Sequence, residues 1–359
     1  MKNRLYKRST YAQGFRPRTA FSLRKYKLAL LAAVWLASGM TVIVGLPWIL
    51  VQQQERLEPS GTTSNQTTNV PKTAKPTTLE PTVPVYLTEQ KKIAELPLET
   101  YIEGVVAAEM PVAFEMEALK AQAIAARTYI VRRVRAGDHS GVPVKEAIVT
   151  DKVNHQAYKT DEDLRRQWGL AYERNQEKIR QAVEETAGEI ILYKGQPIHA
   201  LYFSTSNGYT ENAEDYWGAP VAYLKSVPSP WDTAISPKYK ETVVMDYRTF
   251  LRKLGIGNVS ALSTKSPFIR VLERTEGRRI AKIRIGSQIL TGKEVREKLD
   301  LRSSQFIWTI KGTQIEITTF GYGHGVGMSQ WGANGLAKMG KSANEILTTY
   351  YSGVEIRSL

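Results

Sequence analysis

Two stretches carry residue types able to do chemistry, and the first ends in a glutamate. In the segment PLETYIEGVVAAE, residues 97–109, Val106, Val105 and Ile102 precede Glu109 by three, four and seven positions. On a helix that spacing sets the Glu109 carboxyl on the apolar face. A carboxyl among valine and isoleucine side chains loses hydration in its charged form, so its pKa should rise, which is what a general acid needs near neutral pH. A helix-end glutamate that turns to solvent or caps a neighbour is the alternative. Glu99 and Glu103 fall on other faces and are expected in water. Arg127, at the edge of the apolar stripe of the following helix, either holds an acetamido carbonyl or a carboxylate in the same cleft, or pairs with an acid of the first helix.

The second stretch is GYGHGVGMSQWGA, residues 321–333. Its glycines fall at alternate positions, so the dinucleotide spacing is not met, and no Lys-Ser/Thr pair completes a phosphate loop. What remains is a loop of bare backbone presenting Tyr322, His324, Ser329, Gln330 and Trp331. Hydrogen-bonding groups beside aromatic faces suit a sugar ring; a tight structural turn is the competing reading. The histidines 139, 155, 199 and 324 are scattered, without HExxH-like spacing, and no serine has a nucleophile-elbow context. The chain has no cysteine, which removes thiol nucleophiles and cysteine-bound metals. No metal and no cofactor are expected.

The elements that must position these groups read as α+β. The first helix starts at Pro97 and stops before Pro111. A second, from about 114 to 136, buries Met116, Leu119, Ala123, Ala126, Ile130 and Val134 and ends at Gly137. Residues 137–172 form a polar, turn-rich excursion with a short helix around 161–168, and a helix over 174–187 follows. Residues 189–193 and 197–204 alternate as a hairpin turning at 194–196. Strands are expected at 243–247, 268–274, 279–285, 306–310 and 314–320, with helices near 249–254, 291–299, 327–338 and 343–351.

The remaining sequence sets the location. The net charge of +14 is concentrated in residues 1–27, which hold no acid. Residues 28–51, LALLAAVWLASGMTVIVGLPWILV, carry no charge and are long enough to cross a hydrocarbon core of ~30 Å. Basic residues before this stretch and Glu55 and Glu58 after it predict a single-pass membrane protein with a cytoplasmic N-terminus. A cleaved signal peptide is the rival reading. Residues 52–84, rich in Thr, Ser, Pro and Asn, read as a flexible tether with a reach of roughly 30 Å. The mixed α+β domain, residues 85–359, then faces outward. The basic head is explained by membrane topology, so no nucleic-acid partner is expected.

Three blocks, YIEGVVAAEMPVAFEMEALKAQAIAARTYIVRR, YFSTSNGYTENAEDYWG and GYGHGVGMSQWGA, resemble in order the signature segments of the SpoIID/LytB domain family, a likeness covering roughly residues 85–359. The resemblance implies a lytic transglycosylase that cleaves peptidoglycan between N-acetylmuramic acid and N-acetylglucosamine during forespore engulfment in sporulation. Glu109 matches the family's essential acid. Arg127, Tyr202, Ser204, Asn207, Tyr322, His324, Ser329 and Gln330 are the expected substrate contacts, with the 321–333 loop facing Glu109 as one wall of the cleft. By the same resemblance the partners are glycan strands, the amidase SpoIIP and the membrane protein SpoIIM, at the mother-cell membrane of the engulfing septum. The alternatives are a non-catalytic, wall-binding activator of an N-acetylmuramoyl-L-alanine amidase, or an anchored structural protein of the wall.

Overall fold

The computed structural model describes residues 81–257 and 268–359. The basic head, the apolar span and the tether as far as residue 80 lie outside the described residues. Among those described, no helix is long and apolar enough to cross a membrane.

The described chain is a mixed α+β fold. Strand β1 (Thr82–Leu87) begins inside the stretch read as tether and pairs antiparallel with β2 (Lys92–Pro97). Helix α1 (Leu98–Glu109) follows directly and buries Tyr101, Ile102, Val105 and Val106. It ends because Met110 is extended, as a residue before proline must be. Helix α2 (Met116–Ala136) closes on Gly137 at φ 57°, the left-handed position glycine accepts without strain. Alanines 118, 121, 123, 125 and 126 are buried on it. These small side chains let α2 serve as the central helix, against which α1 and later elements pack.

A short strand β3 (Val149–Thr150) adds parallel to β1. Helices α3 (Asp161–Trp168), opened by a capping box at Thr160, and α4 (Tyr172–Glu184) complete the polar excursion. Strands β4 (Glu189–Tyr193) and β5 (Gln196–Pro197) turn at residues 194–195. The expected hairpin is shorter than read: the Ile198 N–H still donates to the Ile191 carbonyl at 3.1 Å, and the pairing ends beyond it. The chain then bends and enters a separate strand, β6 (Tyr202–Phe203). Two short helices follow, α5 (Ala213–Trp217) and α6 (Asp232–Ile235).

A second lobe begins with β7 (Lys240–Asp246) and α7 (Tyr247–Leu254). It continues through β8 (Ile269–Arg274), β9 (Ile280–Ile285), β10 (Gln288–Thr291), α8 (Gly292–Leu299), β11 (Phe306–Lys311) and β12 (Gln314–Phe320). Its sheets have orders β10-β9-β8 and β11-β12-β7, all antiparallel. They enclose their own core around Phe250, Leu254, Ile283, Val295 and Ile315.

The chain returns to the first lobe through the glycine-rich loop. Its last residues form β13 (Met328–Ser329), which pairs parallel with β6. Helix α9 (Gln330–Lys338) therefore starts later than expected, because Met328 and Ser329 are spent on that ladder and Ser329 caps the helix by accepting from the Gly332 N–H at 3.3 Å. Helix α10 (Ala343–Tyr350) and β14 (Glu355–Ser358), paired with β4, close the fold.

Candidate active site

Glu109 is the last residue of α1, where the carbonyl end of the helix dipole disfavours added negative charge. One carboxylate oxygen accepts from the Ala157 N–H at 2.9 Å and the other from Nε2 of Gln330 at 3.1 Å. Burial pushes its pKa up, and those two hydrogen bonds offset the rise only in part. Among the described residues no cation pairs with it, so no opposite charge offsets the rise.

Gly104 makes this arrangement possible. A Cβ there would lie 2.2 Å from the Tyr158 ring and 2.7 Å from the Lys159 carbonyl oxygen. Its absence lets residues 156–159 cross directly over α1, with the Lys159 N–H donating to the Gly104 carbonyl at 3.3 Å. That crossing delivers the Ala157 N–H to Glu109. It also places Gln156, which accepts from the Tyr101 hydroxyl at 3.1 Å and donates to the Tyr202 hydroxyl at 3.0 Å.

Glu109 opens into a cavity of about 420 Å³ whose other walls include Gln156, His199, Tyr202, Trp217, Arg296 and His324. This volume lies in the range of small-ligand sites. The exposed Trp217 ring stands 5.6 Å from the His324 ring, and Tyr216 packs edge-on to Trp217 at 4.8 Å, so α5 supplies an aromatic rim. Burial, more than any neighbour, lowers His199 to about 4 and His324 to about 3. Both imidazoles are neutral above those values. His155 also lines the cavity, but one ring nitrogen meets the Thr150 hydroxyl at 2.9 Å and the other the Ser140 carbonyl at 3.0 Å. Among the described residues no group of histidines and carboxylates could hold a metal ion.

Of the expected contacts, Gln330 touches Glu109, and Tyr202 and His324 line the same cavity. The glycine-rich loop thus faces Glu109 through part of its length. His324 is engaged within the protein: Nδ1 accepts from the Val326 N–H at 3.1 Å and the ring bonds the Tyr202 backbone. It offers the cavity a ring surface more than a free hydrogen bond.

The other expected contacts lie outside the lining of this cavity. Arg127 is fully buried, away from any cleft. It binds Glu99 in bidentate fashion, Nε to Oε1 at 2.9 Å and Nη2 to Oε2 at 2.5 Å, and Nη1 donates to the Glu189 carbonyl at 3.1 Å. Glu99 is accordingly not a solvated acid, and neither is Glu103, which accepts from Gln176 at 2.6 Å and whose pKa burial raises. Asn207 is buried with its amide donating to the Gly277 carbonyl at 2.9 Å. Ser329 is fully buried and donates to Asp232. The Ser204 carbonyl accepts from the Trp331 N–H at 3.1 Å, and its hydroxyl meets Thr205 at 3.3 Å. Tyr322 is exposed, with the Arg302 guanidinium over its ring at 5.1 Å, outside the lining of the cavity. These four residues hold the loops together.

Gln156, His199, Trp217 and Arg296 line the cavity without having been expected as contacts. Trp217 lies in the second signature block, and an aromatic there is a readable signal. Gln156 lies in an irregular segment and Arg296 on an amphipathic helix of the other lobe, and neither position carries a sequence signal for a site.

The SpoIID family profile, described as stage II sporulation protein, matches residues 86–193. The chain is 46% identical over 333 residues to stage II sporulation protein D of Bacillus amyloliquefaciens, covering 90% of this chain and 95% of that protein. Its likeness to stage II sporulation protein D of Bacillus subtilis is 47% over 274 residues, with 76% of this chain and 78% of that one covered. It is also 30% identical over 306 residues to the amidase enhancer of Bacillus subtilis, spanning 72% of this chain and 40% of that protein.

Proposed function

The chain belongs to the SpoIID family of sporulation proteins, and from that premise we propose that it is a lytic transglycosylase of peptidoglycan with Glu109 as its acid and base. The observation that carries the reading is that Glu109, with its raised pKa, is the one carboxylate among the described residues lining the cavity. Glycoside hydrolysis ordinarily needs two carboxyl groups flanking the bond. A lytic transglycosylase needs one, because its nucleophile belongs to the substrate.

Protonated Glu109 gives its proton to the oxygen bridging N-acetylmuramic acid and N-acetylglucosamine, and the bond from the muramyl C1 to that oxygen breaks. The Glu109 carboxylate then takes the proton of the muramyl C6 hydroxyl. The C6 oxygen bonds to C1, a 1,6-anhydro ring closes, and the acid is restored without water. Gln330 and the Ala157 N–H steady the carboxylate between the two transfers.

The reaction belongs to forespore engulfment, with the catalytic domain held outside the membrane by residues 28–51 and working beside the amidase SpoIIP and the membrane protein SpoIIM. The test is product analysis on peptide-free glycan strands. Wild type should release anhydromuramyl ends, and Glu109→Gln should lower the rate by about 10² to 10⁴. Equal yields from both would refute the assignment. The likeness to an amidase enhancer favours a second reading, in which the domain stimulates an amidase and cleaves nothing itself. In that case Glu109→Gln leaves amidase stimulation intact, and wild type yields no anhydro ends.

A further inference from the structure

We infer that Arg296 is a carboxylate-binding residue of the cleft, placed to take the free lactyl carboxylate of an N-acetylmuramic acid unit. This rests on the glycan-cleaving reading and adds to it the chemical group by which the cavity tells one sugar from the other.

Arg296 comes from α8, in the second lobe, and lines the same cavity as Glu109. Two neutral acceptors fix its plane. Its Nε donates to the Leu301 carbonyl at 3.2 Å, and Nη1 donates to the Tyr216 hydroxyl at 3.0 Å. Neither neutralises it, and among the described residues no carboxylate pairs with it. Each buried guanidinium described has an acid: Arg127 has Glu99, Arg133 has Asp138, and Arg279 has Glu211. A half-buried, oriented guanidinium left with spare N–H donors is a receptor for a planar anion.

The other walls sharpen the choice. The three histidines lining the cavity have pKa values lowered by burial, and the one carboxyl of the lining, Glu109, is held by the Ala157 N–H and Gln330 and not by Arg296. Among the described residues the Arg296 charge is therefore met only by neutral partners. In a glycan strand N-acetylglucosamine has no ionisable group, whereas N-acetylmuramic acid has one carboxyl, on its 3-O-lactyl ether. A stem peptide converts that carboxyl to an uncharged amide. The peptide has carboxylates of its own, and a peptide-bearing strand distinguishes the two sources.

The test is calorimetric binding to the full chain in detergent, carrying Glu109→Gln so that no strand is cleaved. Four oligosaccharides of equal length are compared: alternating strands with free lactyl carboxylates, the same strands as lactyl methylamides, the same strands bearing stem peptides, and chitin oligomers. The expected result is that Arg296→Gln weakens the free-carboxylate strand about 10- to 100-fold and leaves methylamide and chitin oligomers within about twofold. Chitin binding shows that the variant is folded. Equal losses on all ligands, no loss on any, or no binding by the parent overturn the assignment. If the peptide-bearing strand binds as tightly as the free-carboxylate strand and suffers the same loss, Arg296 reads the peptide and the lactyl assignment fails. Cleavage is scored separately: with the binding pattern intact and no anhydro ends from wild type, the transglycosylase reading falls and the role of Arg296 stands.

Discussion

At the scale of single residues, Glu109 is placed where its charge costs stability. Relative to an unfolded glutamate, the fold shifts the balance from its charged form toward its acid form. Below the pKa of an unfolded glutamate, about 4.3, both states are protonated and the site imposes no penalty. As pH rises through the raised folded value, the unfolded chain holds fewer protons than the native one, and stability falls. Glutamine keeps the shape without the charge. Glu109→Gln should therefore melt higher than wild type at pH 8, with the difference shrinking toward zero near pH 4. Urea midpoints across that range measure it. A difference independent of pH would mean that the carboxylate is not strained by its surroundings.

At the scale of elements, what was legible in the sequence was whatever repeats with a period. The apolar steps of 97–109 gave α1 and placed Glu109 on its buried side, and Gly137 marked the end of α2. Strand β12 was read at its observed limits, because residues 314–320 alternate in and out of the core. The site depends equally on segments with no period. Residues 156–159 are irregular, and their crossing of α1 rests on the missing side chain at Gly104. The partner of Arg127 was left open between cleft and ion pair, because helical spacing places a residue on a face without saying what packs on it. Gly104→Ala tests the crossing. Overpacking there should cost about 1 to 3 kcal/mol, read by denaturant unfolding, and should reduce the proposed glycan cleavage further than that loss explains by displacing the Ala157 N–H. A variant with native stability and rate would show that the crossing does not need the glycine.

At the scale of the whole described domain, the cavity is shared between two cores. Glu109 and Gln330 belong to the first and Arg296 to the second, so the geometry of the site depends on how the lobes are joined. One joint is the buried pair of Glu211, in the first lobe, with Arg279, in the second, 3.7 Å apart and each about 2% exposed. Gly325 of the signature loop lies flat on that guanidinium: a Cβ there would fall 2.3 Å from its central carbon, and φ is +90°. Burial raises the Glu211 pKa and lowers that of Arg279, so each charge depends on the other for compensation. Removing one strands its partner in the interior. Glu211→Gln should destabilise the domain by about 3 to 5 kcal/mol, whereas the paired apolar change Glu211→Leu with Arg279→Met should recover most of the loss. Urea unfolding of the three proteins measures both effects. The joint carries no load if Glu211→Gln costs under about 1 kcal/mol. If the double variant folds stably yet cleaves slowly, the pair is kept for the register it imposes between Arg296 and Glu109 and not for the stability it adds.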